Sequence, residues 1–259
     1  MYSTFKFDYK FYKKHKYIVI DKFLNNDFAI LCQNEILKCD QSCWDRYANP
    51  FEQKCTYRDK NSMPPSINLL MNKLNSSDFI KKLNKLTGFE LIKDESKHWW
   101  GIHTFKNNDK LDIHVDAGRH PENNLKKIIT LGIYLSYNWK KENGGNIEFW
   151  SGDNASNNNA KIYDKIISIE PTFNKLLIFE CNDYSWHGAP IPCKCNNDEI
   201  RIFVTCSYLT DIDDSQFKNN RKKAFFVKLP DEPDNPKKDK LRLLRADSEK
   251  YKQIYKTKV

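Results

Sequence analysis

Two histidines, a carboxylate, a tyrosine and an arginine stand in a fixed order along this 259-residue chain: His114-Val115-Asp116, then Tyr134, then His187, then Arg201. Two imidazoles and one carboxylate can grip a metal on one face and leave the opposite face open. A phenol and a guanidinium further along can hold the far carboxylate of a dicarboxylic co-substrate by charge-assisted hydrogen bonds. These residues need a scaffold that brings four distant segments together.

Strands supply the local geometry. A strand turns successive side chains to opposite faces. On a strand over 111–116, His114, Asp116 and Asp112 share one face, and Leu111, Ile113 and Val115 pack the other. Around His187, Gly188 and Pro190 predict a turn just after a short strand, from which His187 folds back as third ligand. His15, His98, His103 and His120 are competitors for that place. Along 128–136, Thr130, Gly132, Tyr134 and Ser136 form a small or polar face, with Leu131, Ile133 and Leu135 behind it. Along 201–208, Arg201, Phe203, Thr205 and Ser207 share a face. An arginine on an interior face is costly unless paired. A ligand carboxylate, gripped in two places, would pair it. An internal salt bridge to one of the chain's own acids is the competing explanation.

The wider pattern is mostly β with flanking helices. Short apolar runs punctuated by Asn, Gly and Pro predict strands at 89–92, 98–106, 111–116, 127–136, 146–150, 165–169, 175–180 and 200–208. That density predicts a sandwich or jelly roll. Ahead of it, 17–20 reads as a strand. A helix capped at Asn26 or Asp27 has Phe28, Leu31, Ile36 and Leu37 as its apolar stripe. Two more helices run from Pro65 to Leu74 and from Ser76 or Ser77 to Gly88, and all three are placed to cover one sheet. Residues 40–64 read as an irregular loop, 152–160 as an exposed loop and 237–256 as helical. Three regions result: 1–88, 89–210 and 211–259.

The net charge is +9, but residues 218–259 carry fourteen Lys/Arg against six Asp/Glu. Such a tail could attract nucleic acid, an anionic membrane or an acidic protein; a solvated helix with a Lys-rich face is the plainer expectation. None of the eight cysteines forms Cys-x-x-Cys, which argues against a structural zinc site. The charged N-terminus lacks an apolar h-region, and no run approaches a membrane span. An intracellular, reducing compartment with free thiols is expected.

With these residues in place, the sequence resembles the Fe(II)/2-oxoglutarate-dependent dioxygenases, specifically the prolyl 4-hydroxylase-like group. The family pattern is His-x-Asp, a distal His, then a basic residue that binds 2-oxoglutarate; His114, Asp116, His187 and Arg201 match it. Thr130-x-x-x-Tyr134-Leu135, Trp139 and Gly144-Gly145 extend the match, as does Thr205, four residues after the arginine. The resemblance covers 89–210, and 17–40 more loosely. It implies a double-stranded β-helix (jelly roll) core packed by the N-terminal helices. It implies His114, Asp116 and His187 as metal ligands, with Tyr134, Arg201, Thr130 and Thr205 around 2-oxoglutarate. The implied cofactors are Fe(II), 2-oxoglutarate and O2, and ascorbate enters only through family behaviour. The implied reaction hydroxylates an aliphatic C–H, on a peptidyl (prolyl) side chain first, or on a small molecule such as a sugar, amino acid or nucleotide derivative. A nucleic-acid oxygenase and a non-catalytic binding protein are the weaker alternatives. Cys193–Asn197 lengthens the spacing from His187 to Arg201, and the animal collagen enzymes place Lys where Arg201 stands, so a collagen substrate does not follow. Trp99, Trp100, Trp139, Trp150 and Trp186 are candidates for the mouth, with core packing expected for most.

Overall fold

The computed structural model describes residues 1–213 and 221–246. Asp8 accepts from the Phe11 amide and starts a short helix α1 (Tyr9–His15), which the charge pattern did not announce. Strand β1 (Tyr17–Ile20) follows. The Asn25 side chain caps α2 (Asn26–Leu37). This helix buries Ala29, Cys32 and Ile36, while Leu31 and Leu37 of the expected stripe stay exposed.

Residues 40–64 are not irregular: they contain a hairpin of β2 (Trp44–Ala48) and β3 (Glu52–Tyr57). Its alternation is hard to see because neither face is wholly apolar; charged side chains line a cavity described below. Pro65 opens α3 (Pro65–Leu74). Ser76 caps α4 (Ser77–Thr87), and Gly88 ends it at φ +81°, a left-handed conformation that glycine adopts without a Cβ clash.

The remaining strands are β4 (Ile92–Lys93), β5 (Gly101–Phe105), β6 (Lys110–Val115), β7 (Lys126–Tyr134), β8 (Ile147–Gly152), β9 (Ile162–Ile169), β10 (Lys175–Glu180), β11 (Trp186–Ala189), β12 (Arg201–Thr210) and β13 (Phe225–Phe226). Helix α5 (Pro236–Ala246) closes the described chain; the rest of the helix expected over 237–256 lies outside the described residues.

All thirteen strands join one antiparallel sheet, in the order β1-β10-β7-β12-β5-β3-β6-β11-β8-β9, with β13 on β6, β2 on β3 and β4 on β12. The sheet curls on itself as a half-barrel. Tyr17, Tyr134, Leu177 and Phe179 from one half pack with Ile147, Phe149 and Ile169 from the other. This is the jelly-roll arrangement expected. Outside the curl, Leu131 and Ile133 of β7, Leu176 and Ile178 of β10, and Ile202 and Val204 of β12 pack with residues of α2, α3 and α4 in the largest core cluster. Fully burying each such side chain contributes about 1.5–3 kcal/mol. The helices therefore hold the convex side rigid and leave the alternate positions of β7 and β12 facing inward.

Trp186 is fully buried, and Trp99 and Trp100 are the tryptophans that line the cavity. All eight cysteines are free. Among the described residues, no helix is long and apolar enough to cross a membrane.

Candidate active site

His187 sits within β11, directly opposite His114 on β6, rather than in a turn after a strand. Gly188 and Ala189 continue that strand; a Cβ on Gly188 would meet the Asp112 carbonyl oxygen at 2.7 Å, so glycine permits the close strand approach. The two imidazole centroids lie 4.5 Å apart. His114 Nδ1 donates to the Asp112 carbonyl at 2.9 Å, and His187 Nδ1 donates to the Ser185 carbonyl at 2.8 Å. A carbonyl can only accept, so each Nδ1 carries a proton and each Nε2 is the nitrogen turned toward Asp116. This is how metal-binding histidines are usually oriented.

Asp116 follows β6 and turns its carboxylate to the same spot. Its Oδ1 lies 3.4 Å from His114 Nε2 and its Oδ2 3.9 Å from His187 Nε2. Ligand atoms of the three residues all fall within 4.8 Å of one another, which makes this the one such group among the described residues. His15, His98, His103 and His120 do not join it; His120 instead bonds Ser96 and Asp94. Asp112 also stays out, its carboxylate taken by Lys110 and Lys238 at 2.7 Å each.

Lys127 was not foreseen as part of the site. Its ammonium is 2.7 Å from Asp116 Oδ2 and lies over the Trp99 ring. Burial alone would raise the Asp116 carboxyl, but Lys127 and the two imidazoles hold it well below the usual carboxylate range. Burial works against the Lys127 ammonium too, and Asp116 more than restores it. Burial, with His114 alongside, lowers His187 to about 4, so its imidazole is neutral near pH 7. In sequence, Lys127 looks like the ordinary charged start of an apolar strand.

The second half of the site is Arg201. It begins β12 and is 4% exposed, yet no carboxylate of the described residues pairs with it and its Nε has no hydrogen-bond partner. Its guanidinium lies over the rings of Phe105, Tyr134 and Phe203, with the carbon 4.5, 4.9 and 5.6 Å from the centroids. Its Nη2 donates to Tyr134 Oη at 3.2 Å, which leaves the phenol's own proton free to donate. Burial raises the Tyr134 hydroxyl, with Arg201 opposing, so the phenol stays protonated. Two glycines make room: a Cβ on Gly132 would meet Phe203 at 2.0 Å, and Gly145, at φ +72°, would meet Arg201 Cδ at 2.8 Å. Thr130 and Thr205 line the cavity, Thr130 within reach of Cys181 and Ser207.

One cavity of about 490 Å³ joins both halves, with His114, Asp116 and His187 at one place on its wall and Arg201 at another. Its lining also takes in residues of the β2–β3 hairpin, Ala117, Arg119 and Pro121, and Lys222, Lys223 and Arg245. No residue of the loop 152–160 lines it.

Residues 100–209 match the family model of the 2OG-Fe(II) oxygenase superfamily. Those 110 residues carry the pattern of a 2OG-Fe(II) oxygenase domain. The oxygenase is thus an enzyme of the dioxygenase class, which uses Fe(II), 2-oxoglutarate and O2. Solved structures share its fold at low identity. A Pseudomonas putida prolyl-4-hydroxylase is 12% identical, with TM-score 0.58 over 79% of this chain and 97% of that one. A prolyl hydroxylase from Trichoplax adhaerens, in complex with a hypoxia inducible factor peptide fragment, is 16% identical, with TM-score 0.59 over 78% and 87%. HygX from Streptomyces hygroscopicus, with nickel, 2-oxoglutarate and hygromycin B bound, is 11% identical, with TM-score 0.53 over 78% and 86%.

The residues of this oxygenase fit those cofactors on their own chemistry. Two imidazoles that turn Nε2 to one spot and a charged carboxylate suit a divalent metal. A buried guanidinium with no carboxylate partner among the described residues suits a dicarboxylate.

Proposed function

We propose that the oxygenase hydroxylates an aliphatic C–H, with a peptidyl prolyl side chain as the leading substrate and a small molecule as the alternative. The observation that carries the reading is the single cavity joining a two-histidine, one-aspartate cluster to a buried arginine that lacks a carboxylate partner among the described residues.

In this reading His114, Asp116 and His187 hold the iron, and Arg201 and Tyr134 hold the distal carboxylate of 2-oxoglutarate. Thr130 and Thr205 form the wall between. With Fe(II) bound, a substrate C–H, 2-oxoglutarate and O2 become C–OH, succinate and CO2. The protein's work is orientation. The Asp112 and Ser185 carbonyls fix both imidazoles, Lys127 keeps Asp116 ionised, and Phe105 and Phe203 exclude water from Arg201.

The fold shared with prolyl hydroxylases, one of them solved with a peptide fragment, supports the peptidyl reading. The similar likeness to a protein with hygromycin B bound supports the alternative.

Anaerobic addition of Fe(II) and 2-oxoglutarate tests the site. Wild type should show the weak visible charge-transfer band of a chelated complex, and His187→Ala should lose it. A folded, metal-loaded wild type without the band would overturn the 2-oxoglutarate assignment. Succinate release on proline-containing peptides against small metabolites then separates the two substrate classes.

A further inference from the structure

The basic C-terminal segment reaches the candidate metal site. β6 carries His114, and its two edges are occupied differently along its length. β11 takes one edge. On the other, β3 pairs only the start, at Lys110 and Leu111. The end of that edge is taken by β13, with Phe225 opposite Val115 and Phe226 opposite His114. The Val227 amide adds a bond to the Ile113 carbonyl at 3.0 Å. The Arg221 carbonyl accepts from the amides of Gly118 and Arg119, just past Asp116, at 2.8 and 3.1 Å. The segment thus holds both sides of the His114-x-Asp116 unit.

Side chains repeat the grip. The Phe226 ring packs on the His114 imidazole, centroids 5.0 Å apart and 32° between planes. Phe51 stacks behind Phe226 at 5.2 Å, and both rings are buried. Helix α5 is tied to the same strand: Lys238 Nζ lies 2.7 Å from both Asp112 Oδ2 and Glu232 Oε1. Arg242 Nη2 spans the two Glu232 oxygens at 2.6 Å each. Asp112 is the residue whose carbonyl fixes the His114 tautomer. Three constraints therefore meet on one imidazole: a hydrogen bond at Nδ1, the His187 ring on one side and the Phe226 ring from the C-terminal segment.

We propose that residues 221–246 are a positioning element for the metal ligand His114, acting through Phe226 against the ring and through Lys238 on Asp112. The proposal rests on the reading of His114 as a ligand. Its physical basis is ring freedom. An imidazole held by one hydrogen bond still rocks about that bond, and each arrangement that turns Nε2 away from the cavity weakens the metal. A flat ring packed on its face removes those arrangements, whereas an aliphatic side chain only fills the space.

The test is Co(II) titration of the full chain, followed by the visible d–d absorption, in wild type, Phe226→Ala, Phe226→Tyr, Lys238→Gln and His114→Ala. Outer partners of metal ligands change affinity by roughly 10–100-fold. Phe226→Ala should therefore bind Co(II) about tenfold more weakly with a broadened band. Phe226→Tyr should restore both. Lys238→Gln, which empties no apolar space, should weaken binding by a smaller factor. In turnover, the KM for 2-oxoglutarate, set at Arg201, should stay at the wild-type value while the Fe(II) requirement rises. Folded Phe226→Ala with wild-type Co(II) affinity and band shape overturns the proposal. Should Phe226→Ala fail to fold, wild-type behaviour of Lys238→Gln overturns it instead. Wild-type Co(II) binding by His114→Ala would mean that the ligand reading itself is wrong, which none of the other variants reports.

Discussion

The two ends of the cavity handle buried charge in opposite ways. At the metal end, the Asp116 carboxylate is matched by Lys127 and surrounded by imidazoles whose outer nitrogens are already bonded. At the other end, the Arg201 guanidinium is wrapped by three aromatic rings, one of them the Tyr134 phenol, with no carboxylate of the described residues beside it. A charge buried without its counterion costs several kcal/mol by desolvation, and ring faces and a phenol return only part of it. The metal end is therefore close to electrostatic balance before any ligand arrives. The Arg201 end is held in deficit, and a dicarboxylate would close it.

The largest effect should come from Arg201→Met. Losing one partner of a buried charge pair costs about 2–5 kcal/mol of binding, so 2-oxoglutarate affinity by calorimetry should fall by about thirtyfold or more. The ligand-free protein should melt at the wild-type temperature or above, because a buried charge without a carboxylate has been removed. A lower melting temperature would break the comparison, for it would mean that the rings and the phenol already balance Arg201.

Lys127→Met should do the reverse. It leaves Asp116 facing the cavity without its cation, and denaturant unfolding should show a loss of about 2 kcal/mol, below the 3–5 of a fully buried pair. Co(II) binding should also fail at a higher pH than in wild type, since the carboxyl then titrates upward. Unchanged stability would show that the cavity already screens Asp116.

The effect that is smallest near neutral pH sharpens the Arg201 end. His103, on β5 opposite Phe203, is lowered to about 3, first by burial and then by Lys54, Lys60 and Arg201. A depressed histidine takes up its proton in the unfolded chain first. Its contribution is whole above about pH 6.5 and falls as pH drops toward 3, by at most about 1.4 kcal/mol per pH unit. His103→Gln should flatten the acid limb of the stability profile by that slope. An unchanged limb would place the acid sensitivity elsewhere.

Particular residues show how far the sequence reached. Period-two alternation gave β6, β7 and β12 with their inward faces, because a strand's geometry is local and each of these strands has one largely apolar side. The hairpin at 44–57 was hidden, since charged side chains on a cavity wall look like a solvated loop. His187 was read in a turn because Gly188 and Pro190 follow it; the strand exists through pairing with β6 and β8, which no local signal encodes. Lys127 and Phe226 were equally silent, one an ordinary strand-start lysine, the other part of a basic tail.

By itself, then, the sequence determined the donor set and its order: two imidazoles, a carboxylate, a phenol and a guanidinium on a mostly β chain with helices on one side. Side-chain chemistry and strand periodicity are properties of a few neighbouring residues, so they survive without the fold. Only the tertiary structure decided which charges are balanced. Whether a carboxylate finds Lys127, whether a guanidinium finds rings instead of an acid, and whether a distant tail packs on His114 all depend on segments tens of residues apart. Burial sets the strength of each such contact, and the curl of the sheet sets the burial.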